Sequence, residues 1–214
     1  EEVEVKFTND RWNTEMRFTA KAGQLVSFFS IDIAPDGASA LADEATAEAL
    51  AKKYYEALPV PQGYAIIDVE NYDEQYRSYS FAREVAPGVY NPYELVRVAI
   101  NPLTGRLTGC NVFDFPLLDD HTPDDVPLTQ AQAEQVAQSC KNIFLEGYEL
   151  TGAEVQIVLP NWSFTDYDTA DIRYSDVSRY AWVLTYEVPD AEVATFTKVF
   201  IDLYTGDLLG GDCT

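Results

Sequence analysis

Apolar and polar residues alternate along much of the chain with the two-residue period of a strand. Tyr180, Trp182, Leu184, Tyr186 and Val188 alternate with Ala181, Val183, Thr185 and Glu187, and Thr197, Val199, Ile201 and Leu203 repeat the pattern in a returning run. The pattern predicts antiparallel strands with one covered face. Pro87-Gly88 and Pro189-Asp190 stand between paired runs, where turn residues belong. Residues 1–30 alternate as well, through Val3, Val5 and Phe7 and again over 15–29.

Two stretches switch to the helical period. Asp43 is a good N-cap for a helix over 44–57, and Thr129 caps one from 130 to about 145. On the second, Ala133, Val136, Ala137, Cys140, Ile143 and Phe144 recur at helical spacing as one apolar stripe, which needs a sheet to cover it.

The chain also repeats itself. Ala22-Gly23-Gln24-Leu25, Thr104-Gly105-Arg106-Leu107 and Thr205-Gly206-Asp207-Leu208 each follow an alternating strand. Arg97-Val98-Ala99-Ile100-Asn101 lies over Lys198-Val199-Phe200-Ile201-Asp202 at an offset of 101, and Tyr79-Ser80-Phe81 over Tyr180-Ala181-Trp182 at the same offset, so the hairpins are expected to be of one length. The helices align at an offset of 86, leaving about fifteen extra residues in the second copy. The expected fold is α+β, tandem repeats of one helix packed on a small antiparallel sheet. Its parts are a closing hairpin of a partial leading unit (1–30), whose strands could instead extend the next sheet, a first unit (38–116), an acidic linker (117–127) and a second unit (128–214) with an insertion near 155–172.

A capped helix with Ala47 to Ala51 or Ala133 to Ala137, then a hairpin and a strand ending Val98 to Leu107 or Val199 to Leu208, resembles the PepSY domain and the related YcdB/YcdC repeated domain. The resemblance implies a β-lactamase-inhibitor-like fold and extracytoplasmic, bacterial, non-catalytic modules of peptidase propeptides and cell-envelope proteins, with a role in regulating peptidases. It carries no catalytic residues to transfer.

Charge narrows the choice of partner. With 14 basic and 36 acidic residues among 214, the formal charge is −22, which repels nucleic acid and anionic membrane surfaces. A hydrophobic fraction of 47% is enough for a folded core, and no run approaches the ~20 apolar residues of a membrane span. The chain begins at Glu1 without a leader, as a processed or excised extracytoplasmic protein would.

Candidate chemistry is sparse. A nucleophile–histidine pair would have to use His121, the one histidine, in an acidic linker. The chain is therefore expected to be no enzyme and to need no cofactor. Calcium is the one ion the sequence suggests, at Asp166, Asp168 and Asp171, with Asp119, Asp120, Asp124 and Asp125 a second acidic cluster; solvated loops are the plainer reading of both. In an oxidising compartment Cys140 and Cys213 are the expected disulfide, helix against last strand, with Cys110 a buried thiol; three reduced cysteines is the competing reading. Trp162, Phe164 and Tyr167, in the insertion near Pro160, have the character of partner-binding anchors, against ordinary loop packing. Three readings follow: a module binding an extracellular or envelope protein such as a peptidase, a structural or sensory repeat without a dedicated partner, and an acid-dyad glycan hydrolase.

Overall fold

The computed structural model describes residues 2–9, 12–19, 23–31, 43–73, 75–118, 120–121, 125–140, 145–161, 174–189 and 196–213. The chain divides into two compact units, Glu1–Asp114 and Phe115–Thr214.

The first unit is a seven-stranded antiparallel sheet and one helix. Its strands are β1 (Glu2–Asn9), β2 (Trp12–Thr19), β3 (Leu25–Ser30), β4 (Ala65–Asp73), β5 (Tyr76–Ala86), β6 (Val89–Ile100) and β7 (Leu107–Asp114), in the order β1-β2-β3-β7-β6-β5-β4. One row of directly opposed residues crosses all seven strands: Val5, Met16, Phe28, Cys110, Val98, Tyr79 and Val69. The adjacent row is Glu4, Arg17, Ser27, Asn111, Arg97, Ser80 and Asp68. Because side chains alternate along a strand, the first row builds a core face and the second a polar one.

Helix α1 (Glu44–Ala57) covers the core face. The Asp43 carboxylate accepts the Thr46 N–H at 2.7 Å, which fixes the helix start. Ala47, Ala51 and Tyr55, one turn apart, are its buried residues. The two alanines let the helix lie close to the sheet, and the Tyr55 ring stacks on Phe81 with centroids 4.2 Å apart.

The second unit has a four-stranded antiparallel sheet of β8 (Glu149–Val158), β9 (Arg179–Glu187), β10 (Phe196–Asp202) and β11 (Leu208–Cys213), in the order β11-β10-β9-β8. Helix α2 (Gln130–Ser139) starts at a capping box between Thr129 and Gln132 and buries Ala133 and Ala137 against Leu184, Tyr186, Val199 and Ile201.

Several expectations change. The chain is mostly sheet, 56% strand against 15% helix, so it is not a tandem of helices on small sheets. The physical reason lies in residues 2–30: their alternating strands do not close a lost unit but extend the first sheet through the β3–β7 pairing, so the two sheets differ in size. Strand β9 is covered on both faces, with Ala181 and Val183 as buried as Leu184 and Tyr186. The hairpins also differ in length, because Val98 faces Tyr79 whereas Val199 faces Leu184. Helix α2 ends at Ser139, short of 145: the Ser139 hydroxyl donates to the Val136 carbonyl at 2.8 Å, and the next N–H, of Cys140, turns back to Ala137. Ile143 and Phe144 of the expected stripe lie outside the described residues.

Gly210 in β11 is where the second unit closes on itself. A Cβ there would stand 2.0 Å from the Asn161 carbonyl oxygen, and its φ of 126° already disfavours any other residue. Asn161 is the clasp: its N–H donates to Leu209 and its side-chain amide to the Gly211 carbonyl. Replacing Gly210 by Ala is expected to cost about 2 kcal/mol or more, read as a lower denaturant midpoint. Gly152→Ala in β8, where a Cβ meets Thr185 at an ordinary 3.6 Å, is the control expected to change stability little.

Candidate functional site

The three segments that end alike in sequence fold into one turn. In each, the N–H of the first residue donates to the carbonyl five residues on, and the glycine N–H donates back to the first carbonyl. The pairs are Thr19 with Gln24 and Gly23, Asn101 with Arg106 and Gly105, and Asp202 with Asp207 and Gly206. The glycines have φ of 62°, 71° and 75°, the left-handed conformation this turn needs. Each turn is accompanied by a register shift in the strand before it, at Arg17/Phe18, Ala99/Ile100 and Phe200/Ile201.

A side-chain oxygen holds the two inner turns from within. Asn101 Oδ1 accepts the Leu103 N–H at 2.9 Å, and Asp202 Oδ1 accepts the N–H groups of Tyr204 and Thr205 at 3.0 and 2.9 Å. Both residues are almost fully buried. Helix and turn are tied as well: Tyr54 of α1 donates its hydroxyl to the Gly105 carbonyl, and Leu128, just before α2, lies against Gly206.

The second unit adds charge to this shared plan. Arg179, at the start of β9, donates to Asp202 Oδ2 at 3.0 Å and to Asp120 at 3.3 Å. The segment 115–118 is anchored beside it, since the Leu118 N–H donates to Ser178 and the Ser178 N–H and hydroxyl donate to Pro116 and Phe115. His121 stacks on Tyr204 with ring centroids 3.8 Å apart and planes 15° off parallel. Together Leu118, Asp120, His121, Asp125, Arg179 and Tyr204, over Asp202, line a pocket of about 160 Å³. Part of the segment read as a linker is therefore fastened into the second unit.

The buried carboxyl of the pocket is stabilised in its ionised form. Burial alone would raise the Asp202 carboxyl, but the Thr205 and Tyr204 N–H groups and the Arg179 guanidinium outweigh it and hold the carboxyl below its ordinary 3.8. A general acid needs the opposite displacement. The Thr205 hydroxyl, the one aliphatic hydroxyl on the pocket wall among the described residues, donates to Asp207 at 2.8 Å.

Of the residues singled out in sequence, Trp162, Phe164, Tyr167, Asp166, Asp168 and Asp171 lie outside the described residues, as do Asp119 and Asp124. Asp120 and Asp125 come together at the pocket. Among the described residues no group of three or more ligating side chains is placed to hold a metal. Cys140 and Cys110 are free thiols, and the side chain of Cys213 lies outside the described residues. Burial pushes the Cys110 thiol up to about 12. Arg179, Asp202 and Tyr204 were not anticipated as site residues; the signal for Asp202 was a charged residue where the equivalent turn manages with Asn101.

Fold and site define an antiparallel β protein with a charged pocket built around a repeated turn. No protein-family model matches the chain, and no curated protein matches it in sequence. Among solved structures it is similar to the Bacillus megaterium YpeB C-terminal domain, with a TM-score of 0.46 and 15% identity over 100% of this chain and 88% of that one. A likeness this distant says nothing of activity.

Two substitutions separate turn from ion pair. Asp202→Asn keeps an oxygen for the Tyr204 and Thr205 N–H groups and is expected to cost about 1 kcal/mol, whereas Asp202→Ala, which orphans both donors and Arg179, is expected to cost about 3. Because the folded carboxyl is held below its unfolded value, its contribution is complete above about pH 4 and is lost as pH falls through the folded value. Acid unfolding followed by circular dichroism should accordingly begin at higher pH in Arg179→Met than in the parent chain.

Proposed function

We propose that the chain is a non-catalytic module that acts outside the cytoplasm by binding a protein with a basic surface, a secreted or envelope peptidase that it regulates. The observation that carries this reading is the division of labour in the pocket. The Asp202 carboxylate is buried and tied to the turn and to Arg179, the half-buried guanidinium reaches on to Asp120, and Asp120 and Asp125 stand exposed at the rim beside the His121–Tyr204 stack. Exposed carboxylates next to stacked rings suit a lysine or arginine side chain of a partner. A charge of −22 would steer such a partner in, less so as salt rises. The PepSY resemblance points the same way. No helix among the described residues is long and apolar enough to cross a membrane.

A structural repeat without a dedicated partner is the second reading. It is favoured by the recurrence of one turn in three places, each occupied with holding strands in register.

Immobilised chain exposed to the envelope extract and culture medium of its own organism should retain a peptidase whose rate changes when the chain is added. Asp120→Asn with Asp125→Asn, which removes both rim charges without setting a cation against Arg179, is expected to lower that retention about tenfold at low salt, with the far-ultraviolet circular dichroism of the fold retained. Replacing Trp162, Phe164 and Tyr167 together by Ala is likewise expected to lose retention and keep the fold. A retained set of basic proteins that salt removes entirely, indifferent to both sets of substitutions, would leave the repeat reading in place.

A further inference from the structure

Among the described residues β1 is paired on one side alone, with β2, in a regular eight-position register from Glu2 opposite Thr19 to Asn9 opposite Trp12. Neither a bulge nor a proline interrupts it, so its outer backbone groups form a straight template for another strand. Val3 and Phe7 are 50% and 58% exposed, on the face that continues the Val5–Met16–Phe28 core row; Glu2, Glu4 and Lys6 occupy the other face. We propose that this edge pairs antiparallel with the same edge of a second copy, about a two-fold axis at Val5, joining two sheets into one.

Charge and face select the register. With Val5 opposite Val5 of the second copy, Val3 meets Phe7 on the core face, and Glu4 meets Lys6 on the polar face, twice by symmetry. A slip of two residues one way sets Glu4 against Glu4, and two the other way sets Lys6 against Lys6. A slip of one puts Val5 against a charged residue and the two core faces on opposite sides. Within its own chain Lys6 bridges Glu4 at 3.3 Å and Glu15 at 3.4 Å, so a third carboxylate finds the ammonium already placed and one of its three donors left.

The interface is one strand wide, below the size of an obligate dimer, and association is correspondingly weak and concentration-dependent. Long-range repulsion between two copies of −22 opposes it, so moderate salt strengthens this contact, the reverse of its effect on a basic partner. The pairing is independent of the pocket and of the function proposed for it.

Sedimentation equilibrium and peptide mapping of cross-links test it. The mass should rise from 24.0 kDa toward twice that value with concentration, and at lower concentration in about 0.2 M salt than in about 10 mM. Lys6→Glu should abolish the rise and Glu4→Lys with Lys6→Glu restore it. In case these charge variants disturb the hairpin, cysteines introduced in β1 give a second measurement under mild oxidation. Val5→Cys should give a covalent dimer joined at position 5, and Glu4→Cys at least tenfold less at position 4. A mass of 24.0 kDa at every concentration and salt, or equal cross-linking from both cysteine variants, would overturn the proposal.

Discussion

The structure depends on a side-chain oxygen buried inside a tight turn. Asn101 and Asp202 stand where a strand must reverse, and their oxygens take up N–H groups that the turn would otherwise leave without partners away from water. Each turn fixes which residue of the returning strand faces which residue of the outgoing one, with Ile100 opposite Leu107 and Ile201 opposite Leu208. An error of one residue would carry Cys110 or Leu209 to the wrong face. The core rows, and through them the seats of both helices, follow from the turn chemistry.

Those turns were legible because their cause is local. A positive-φ glycine, a threonine before it and an alternating strand on each side are all contained in about ten residues, and the N-caps at Asp43 and Thr129 are shorter still. What could not be read was set at a distance. The alternation over 25–30 suits the closing hairpin of another unit and an extension of the next sheet equally, and nothing near it selects β7 as the neighbour of β3. The second cover over Ala181 and Val183 and the pairing of Arg179 with Asp202 also join residues far apart in the chain. The 101-residue offset misled for a related reason: alignment of similar apolar letters placed Tyr79 over Tyr180, while strand pairing placed Tyr79 where Leu184 stands.

The pocket shows how a fold element acquires chemistry without changing shape. Asn101 and Asp202 close turns of the same hydrogen-bond pattern, and the carboxylate differs from the amide in that it holds an arginine as well. That arginine gathers Asp120 and stands near the stacked histidine, so the acid at this turn is joined to a charged surface.

The join between β3 and β7 has a kinetic meaning. Three paired positions, Ser27–Asn111, Phe28–Cys110 and Phe29–Gly109, join β3 to β7, where β6 and β7 share seven, and Leu25 adds an N–H bond to the Pro59 carbonyl and a buried side chain. The loop that closes there spans 82 residues from Phe28 to Cys110, so the entropy of closing it weighs against these contacts more than against those of a hairpin. The sheet is in effect a four-stranded body with a three-stranded leaf joined along a short seam, and any opening of the leaf alone would pass through that seam. Cys110 lies on that seam, inert while it is shut, and the rate at which its thiol meets a reagent is a clock for the leaf's opening.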